Sequence, residues 1–301
     1  MVLIGAAASL QALREERYAE PPPRTDSLYL TSGATVRRLS AGFSTLAADL
    51  YWIRAIQYYG GTRIQLDRAA HGQPATTTDG ARSFDQLYPL LDLTTTLDPR
   101  FNIAYRFGSI FLAEPSPGGA GRPDLAIALL EKGLREQPDK WEYMQDIGFV
   151  HYWWRRDYES AARWFDKASK APGAPWFLQS LAAVTLAEGG NRENSRAMWT
   201  AIRQSAEIDW LRDDADRRLK QLDTMDFIDA VQRVVEAARP RVGELTDWPT
   251  LIRAGVIRAV PVDKAGVPLG LDHEGRVHLS PMSPLYPLPL EGQSGPPSQQ
   301  H

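Results

Sequence analysis

Small and large apolar residues recur at helical spacing through the middle of the chain. Ala161, Phe165 and Ala168 stand at i, i+4 and i+7, and Ala126, Leu130 and Gly133 repeat the arrangement. Ser195, Trp199 and Ile202 repeat it more loosely, with a last residue that is no longer small. This spacing places each trio on one helix face. Leu130 and Phe165 lie 35 residues apart, and Phe165 and Trp199 lie 34 apart. A period of that length predicts stacked helical units. At a helix crossing the small residue admits the neighbouring backbone, and the large one fills the space a turn later. One pair of helices does not bury its apolar face alone, so successive pairs must stack.

Two of these helices have a partner upstream. Phe107-Gly108 with Phe111, and Ile147-Gly148 with His151, place a large apolar residue, a glycine and a ring at matching positions. Pro99, Pro138 and Pro172 close the units, because proline lacks an N–H and disfavours helical geometry in the residue before it. Earlier, a long helix is predicted from about Val36 to Tyr59. Val36, Leu39, Phe43, Leu46, Leu50, Ile53 and Gln57 form its main stripe, and Tyr51, Ala55 and Tyr58 form a second, so both sides are expected to pack. A polar loop from Gly60 to Arg82 comes next. Beyond the repeats, Ile208, Leu211, Ala215, Leu219 and Leu222 predict one capping helix, and Phe227, Val231, Val234 and Val235 predict the next. The texture changes at Pro240. Asp247 before Trp248-Pro249 starts a short helix that Gly255 stops, and Asp263–Gly266 and Asp272–Gly275 read as turns. The chain thus divides into an anchor-like stretch and spacer over 1–35, a helical body with its capping helices over 36–239, and an irregular, extended segment over 240–301 whose last dozen residues are expected to lack order.

Over roughly residues 83 to 205 the units resemble bacterial tetratricopeptide repeats. Repeat one offers its second helix, with Leu87, Leu91, Thr94 and Pro99. Repeats two and three are legible in both helices, and repeat four, with Ala182-Ala183, Leu186, Ser195, Trp199 and Ile202, is degenerate. His151 stands where the family usually has tyrosine, and repeat two carries about five extra residues between its helices. The resemblance implies an all-α helix-turn-helix solenoid whose first helices line a concave groove gripping an extended peptide or a partner helix. Counted from Gly148, the groove positions are Glu142, Gln145, Phe149, Tyr152 and Trp153; in repeat two they are Asn102, Tyr105, Ser109 and Leu112. Tyr143, Phe149, Tyr152, Trp153 and Trp154 surround the first helix of repeat three, more rings than one buried face accommodates. Rings mixed with amides suit a protein-binding hot spot. The alternative is a groove filled from within, by the C-terminal segment or the long first helix, in a structural subunit of a larger assembly.

Composition narrows this further. With 43% hydrophobic and 24% charged residues the chain has the balance of a folded protein. A net charge of −3 does not suit a nucleic acid partner. There is no cysteine, which excludes disulfides, thiolate metal sites, a cysteine nucleophile and a lipoprotein anchor. Val2 to Leu13 is apolar but shorter than the roughly 20 residues of a span, and reads either as a frayed helix or as the end of an anchor or signal beginning upstream. The triple proline after it reads as a spacer. Nucleophile-elbow, zinc-helix, P-loop and dinucleotide fingerprints are absent from the sequence. Gly118-Gly119-Ala120-Gly121 precedes a helix and reads as a loop insertion rather than an anion site. His273 and His278, with Asp272 and Glu274, are the one arrangement resembling metal ligands, on a segment expected to be too loosely built to hold a metal. No cofactor or catalytic residue is expected. Finally, Trp248-x-x-Leu251-x-x-x-Gly255 followed by Pro261-x-Asp263-x-x-Gly266-x-Pro268 resembles the end of type II secretion pseudopilins, with Lys264 in place of a proline and Leu269 in place of a tyrosine. That resemblance, with the N-terminus, implies a membrane-associated or periplasmic scaffold of the bacterial envelope rather than a cytoplasmic one.

Overall fold

The computed structural model describes residues 43–72, 83–242 and 247–290. Of these, 67% are helical, in ten α-helices and one π-helical turn, with two strands of two residues each. The chain forms two compact units, residues 1–138 and 139–301.

The first unit contains α1 (Ser44–Ala70), α2 (Leu87–Leu97), α3 (Asn102–Ala113) and α4 (Pro123–Glu136). The long helix α1 runs on through Gly60-Gly61 into the stretch expected to be a loop. Two interior glycines cost a helix about 1 kcal/mol each, and packing on both sides of them offsets this. Tyr58 donates its hydroxyl to the Ser83 carbonyl at 2.7 Å, Tyr59 donates to Gly118 O at 2.7 Å, and Thr62 is buried. Residues 73–82 and the predicted start of α1 before Phe43 lie outside the described residues, as does the N-terminal apolar stretch.

The faces of α1 also differ from expectation. Ala48, Ala55, Tyr58 and Thr62 are buried, while Phe43, Leu46, Leu50 and Ile53, the expected main stripe, are exposed. The small residues decide this, because Ala48 seats α1 against Leu93 and Leu97 of α2. Trp52 and Tyr59 lie beside Phe111, Tyr59 stacking on it at 4.0 Å between ring centroids. Farther along, Gly108 meets α2 and α4 so closely that a Cβ there would lie 2.9 Å from Leu91 and 3.2 Å from Leu129. The Lys132 ammonium, on α4, ties down α2 by donating to Asp92 O and Oδ1, both at 2.7 Å, and to the hydroxyls of Thr95 and Thr96.

The second unit begins with α5 (Trp141–Val150), which ends in a π-helical turn over His151–Arg155. It continues through α6 (Tyr158–Ser169), α7 (Phe177–Glu188), α8 (Arg192–Ser205) and α9 (Asp209–Val242), each helix packing on the next. Asp157 and Asn191 cap α6 and α8 by accepting from the backbone N–H of Ser160 and Asn194. The repeated trios are all buried: Ala126, Leu130 and Gly133 in the first unit, and Ala161, Phe165, Ala168, Ser195, Trp199 and Ile202 in the second. Gly148 sits so close to Phe165 that a Cβ would lie 2.4 Å from the ring.

The two capping helices are one continuous α9 of 34 residues. Nothing between Leu222 and Phe227 breaks a helix, and Thr224 and Met225 there are buried. Arg192 and Arg196 of α8 pair with Asp223, Asp226 and Asp229 across the expected break. The composition change at Pro240 therefore falls inside a helix. The segment beyond α9 is irregular but tightly held. After α10 (Trp248–Arg253), with Asp247 as its cap, β1 (Gly270–Leu271) and β2 (Val277–His278) pair antiparallel, Gly270 opposite His278. Trp248, Leu251, Leu269, Val277, Leu279 and Leu285 share a core with Val231, Val235 and Ala238 of α9. Two glutamines of α9 stitch the segment down: Gln221 donates to the carbonyls of Leu285 and Pro287 at 2.8 Å each, and Gln232 donates to Gly275 O while accepting from Val277 N–H at 2.7 Å. Among the described residues no helix is long and apolar enough to cross a membrane.

Candidate functional site

Ring-rich residues close α5. Over His151–Arg155 the helix widens to π geometry, and Arg156, at φ 52°, ends it in the left-handed region. Such a turn carries an extra residue and re-aims side chains, a device found often at functional sites. Trp153 is 60% exposed. Behind it Tyr152 lies edge-on, 4.9 Å from Trp153 and 5.4 Å from Tyr158 between centroids. The Tyr152 hydroxyl donates to Glu188 Oε2 at 2.6 Å, and burial, with the Glu188 carboxylate next to it, raises its pKa so that it stays a donor. Phe149 meets Phe165 edge-on at 5.1 Å. Phe149 and Tyr152 are half-buried against the core of Ala161, Ala162, Phe165, Ala182 and Leu186, so they anchor the surface that Trp153 presents. Glu142 and Gln145, near the start of α5, are half-buried, and Glu142 pairs with Lys140 at 3.1 Å.

In the first unit, counting from glycine gives the wrong face. Tyr105, Ser109 and Leu112 are buried, and Tyr105 lies against α2 with its hydroxyl 3.5 Å from Thr95 O and its pKa pushed up to about 12, chiefly by burial. Gly108 points at Leu91 and Leu129, and Tyr105, Ser109 and Leu112 share that inward side. The residues α3 exposes are Ile103, Phe107 and Ile110, and Asn102 is half-buried at its first position. Tyr105 is thus inaccessible to a partner.

A second exposed aromatic group is not apparent from the sequence pattern. Trp176, at the start of α7, lies edge-on to Trp210 of α9 at 4.9 Å and to Phe177 at 6.2 Å, with Ile208 also exposed. These rings sit at helix starts, where 3.6-residue periodicity gives no signal; their local mark is the Pro175-Trp176-Phe177 run.

Other chemistry is spoken for. His151 Nδ1 lies 3.4 Å from Asp157 Oδ2 without hydrogen-bond alignment, and burial lowers its pKa against the opposing pull of Asp157. Burial likewise opposes the charge on Asp157, but its bonds to Ser160 prevail and hold it below the usual range. The glycine-rich loop spends its amides on α3: Ala120, Gly121 and Arg122 donate to the carbonyls of Phe111, Glu114 and Leu112. His273 is exposed at the hairpin tip, 3.8 Å from Glu274, while the His278 ring lies over Gly270. No group of three or more metal-ligating side chains forms among the described residues. The C-terminal segment runs along α9 and reaches the Ala183, Ala187 and Trp199 cluster through Leu288, leaving Trp153 exposed.

Against this geometry, comparison with family models, curated proteins and solved structures finds no match to the chain.

Proposed function

We propose that this chain is a non-enzymatic, tetratricopeptide-like repeat scaffold that holds a partner protein or peptide through the aromatic surface of its second unit. One observation carries the reading: Trp153 is 60% exposed, yet Tyr152, itself bonded to Glu188, is edge-on to it. A large ring already fixed before binding loses little entropy on contact, which is what makes Trp and Tyr effective anchors. Trp176 and Trp210 extend the same chemistry. Support for the repeat reading comes from Gly148 seated on Phe165, Gly108 seated between Leu91 and Leu129, and the 34- and 35-residue spacing of the buried trios. The pseudopilin-like C-terminal run makes an assembly of the bacterial envelope the place to look for the partner.

Affinity capture with the full chain tests this. Tyr152→Ala/Trp153→Ala is expected to reduce recovery of the partner at least ~10-fold, the loss of one hot spot of about 1.4 kcal/mol or more. Recovery of the same partners at wild-type yield, by this variant and by Trp176→Ala/Trp210→Ala alike, would show the aromatic surface to be inert.

A further inference from the structure

Helix α1 carries two opposed seams. Ala48, Ala55 and Thr62, seven residues apart, are at most 3% exposed and face its own unit. On the other side Leu46, Leu50, Ile53 and Ile64, with Phe43 just before the first turn, are between 49% and 72% exposed. Their spacing is the alternation of three and four that defines positions a and d of a heptad, with a at 43, 50, 57 and 64 and d at 46, 53 and 60. In sequence the same register includes Val36 and Leu39, which lie outside the described residues. A seam of period 3.5 fits another helix better than a broad flat surface.

We propose that this seam pairs α1 with α1 of a second copy of the chain, making the protein a dimer through a two-helix coiled coil. Self-pairing follows from the seam's own content. Four large residues in succession are followed by Gln57 at an a position and Gly60 at a d position before Ile64, and a single polar a residue is a device for fixing register between like strands. The area is of the right order. Five half- to three-quarter-exposed side chains of about 150–200 Å² each bring roughly 500 Å² per copy, and exposed Asp49, Ile56 and Gln57 beside them add to it. A standard interface needs about 800 Å² per partner. A lipid surface fits less well, since an interfacial helix has a basic polar face, whereas α1 mixes Asp49 and Asp67 with Arg54, Arg63 and Arg68.

Sedimentation equilibrium of the full chain decides the matter. Wild type is expected to be a dimer at micromolar concentration. Leu50→Glu/Ile53→Glu places charges at adjacent a and d positions and is expected to weaken dimerisation at least ~100-fold. Thr45→Glu, exposed on the same helix outside the seam, is expected to leave the dimer intact. Unchanged far-ultraviolet circular dichroism and thermal midpoint keep loss of folding from being mistaken for loss of pairing. A monomeric wild type, or a dimer indifferent to Leu50→Glu/Ile53→Glu, overturns the proposal. So does a monomer that co-sediments with phosphatidylglycerol vesicles through these residues, which would make the seam a lipid-binding face.

Discussion

Gly148 and Gly61 are both helical glycines, yet substitution by alanine is expected to act in opposite directions. At Gly61 a Cβ meets nothing within 4 Å, so Gly61→Ala keeps only the gain in helix propensity, about 0.5–1 kcal/mol. At Gly148 the same Cβ would stand 2.4 Å from the Phe165 ring, which is fully buried and held edge-on by Phe149. Overpacking costs about 1–3 kcal/mol and outweighs the propensity gain, so Gly148→Ala is expected to lower stability in urea unfolding while Gly61→Ala raises it. Asp263 gives a third case. Its buried carboxylate accepts from the N–H groups of Ala265 and Val267 at 2.8 Å and from the Ser283 hydroxyl at 2.5 Å. Burial opposes its charge, but these bonds prevail and hold its pKa below the ordinary value. Asp263→Ala strands two amides and is expected to cost ~2–4 kcal/mol. Because the folded pKa is the lower one, the charge contributes stability above the unfolded pKa of about 3.9, and that part is lost as pH falls through the folded value. The gap between wild type and Asp263→Ala in urea midpoints should therefore narrow below about pH 4; a gap that does not change with pH would show the carboxylate's charge to be immaterial.

Helices were legible wherever burial followed a 3.6-residue period. The trios around Leu130, Phe165 and Trp199 are buried as their spacing predicts, and Asp247 and Gly255 bound α10 as read. Three features were hidden because they depend on contacts distant in sequence. Gly60-Gly61 looks like a stop until Tyr58 and Tyr59 are seen bonded 25 and 59 residues away. The stretch between Leu222 and Phe227 loses its apolar period, and the arginines of α8 that pair there are some 30 residues upstream. On α3 the count from Gly108 gives the spacing but not which neighbours the glycine faces, so it puts Tyr105 in a groove when the residue lies within the core. Of the surface itself, Trp153 was legible as a ring too many for one face, whereas Trp176 and Trp210 were not, since their partnership links the starts of α7 and α9. Lys132 offers a test of such distant ties. It has four acceptors at the end of α2, and Lys132→Met keeps the stem but removes every donor. Part of the cost is screened by solvent, so a loss of about 1–2 kcal/mol is expected. Native-state hydrogen exchange should place it in α2 and α4; unchanged exchange there would make the clamp ornamental.

The whole second unit turns on whether the segment after α9, from residue 243 on, is an appendage or part of the fold. Texture alone suggests an appendage, since proline and glycine are frequent and the strands are two residues long. The contacts argue otherwise. Trp248, Leu251, Leu269, Val277, Leu279 and Leu285 are all buried with Val231, Val235 and Ala238, so among the described residues this segment covers one face of α9. Burying a large apolar side chain is worth about 1.5–3 kcal/mol, and even after the entropy of ordering the segment the loss would be a large part of the roughly 5–15 kcal/mol that holds a domain together. Gln221 and Gln232 would also lose acceptors and a donor from the segment's backbone. A chain ending after Val242 should therefore unfold at a markedly lower temperature, bind a hydrophobic dye and tend to aggregate. Trp248→Ala, which removes the buried ring and its 2.8 Å bond to Leu269 O, should reproduce part of this in the untruncated chain, at about 3–5 kcal/mol. If the truncated chain melts at the wild-type temperature without binding dye, the segment is an appendage. If it does not, the run from Trp248 to Pro268 is held in place by the helices, and any partner reading it meets a rigid surface.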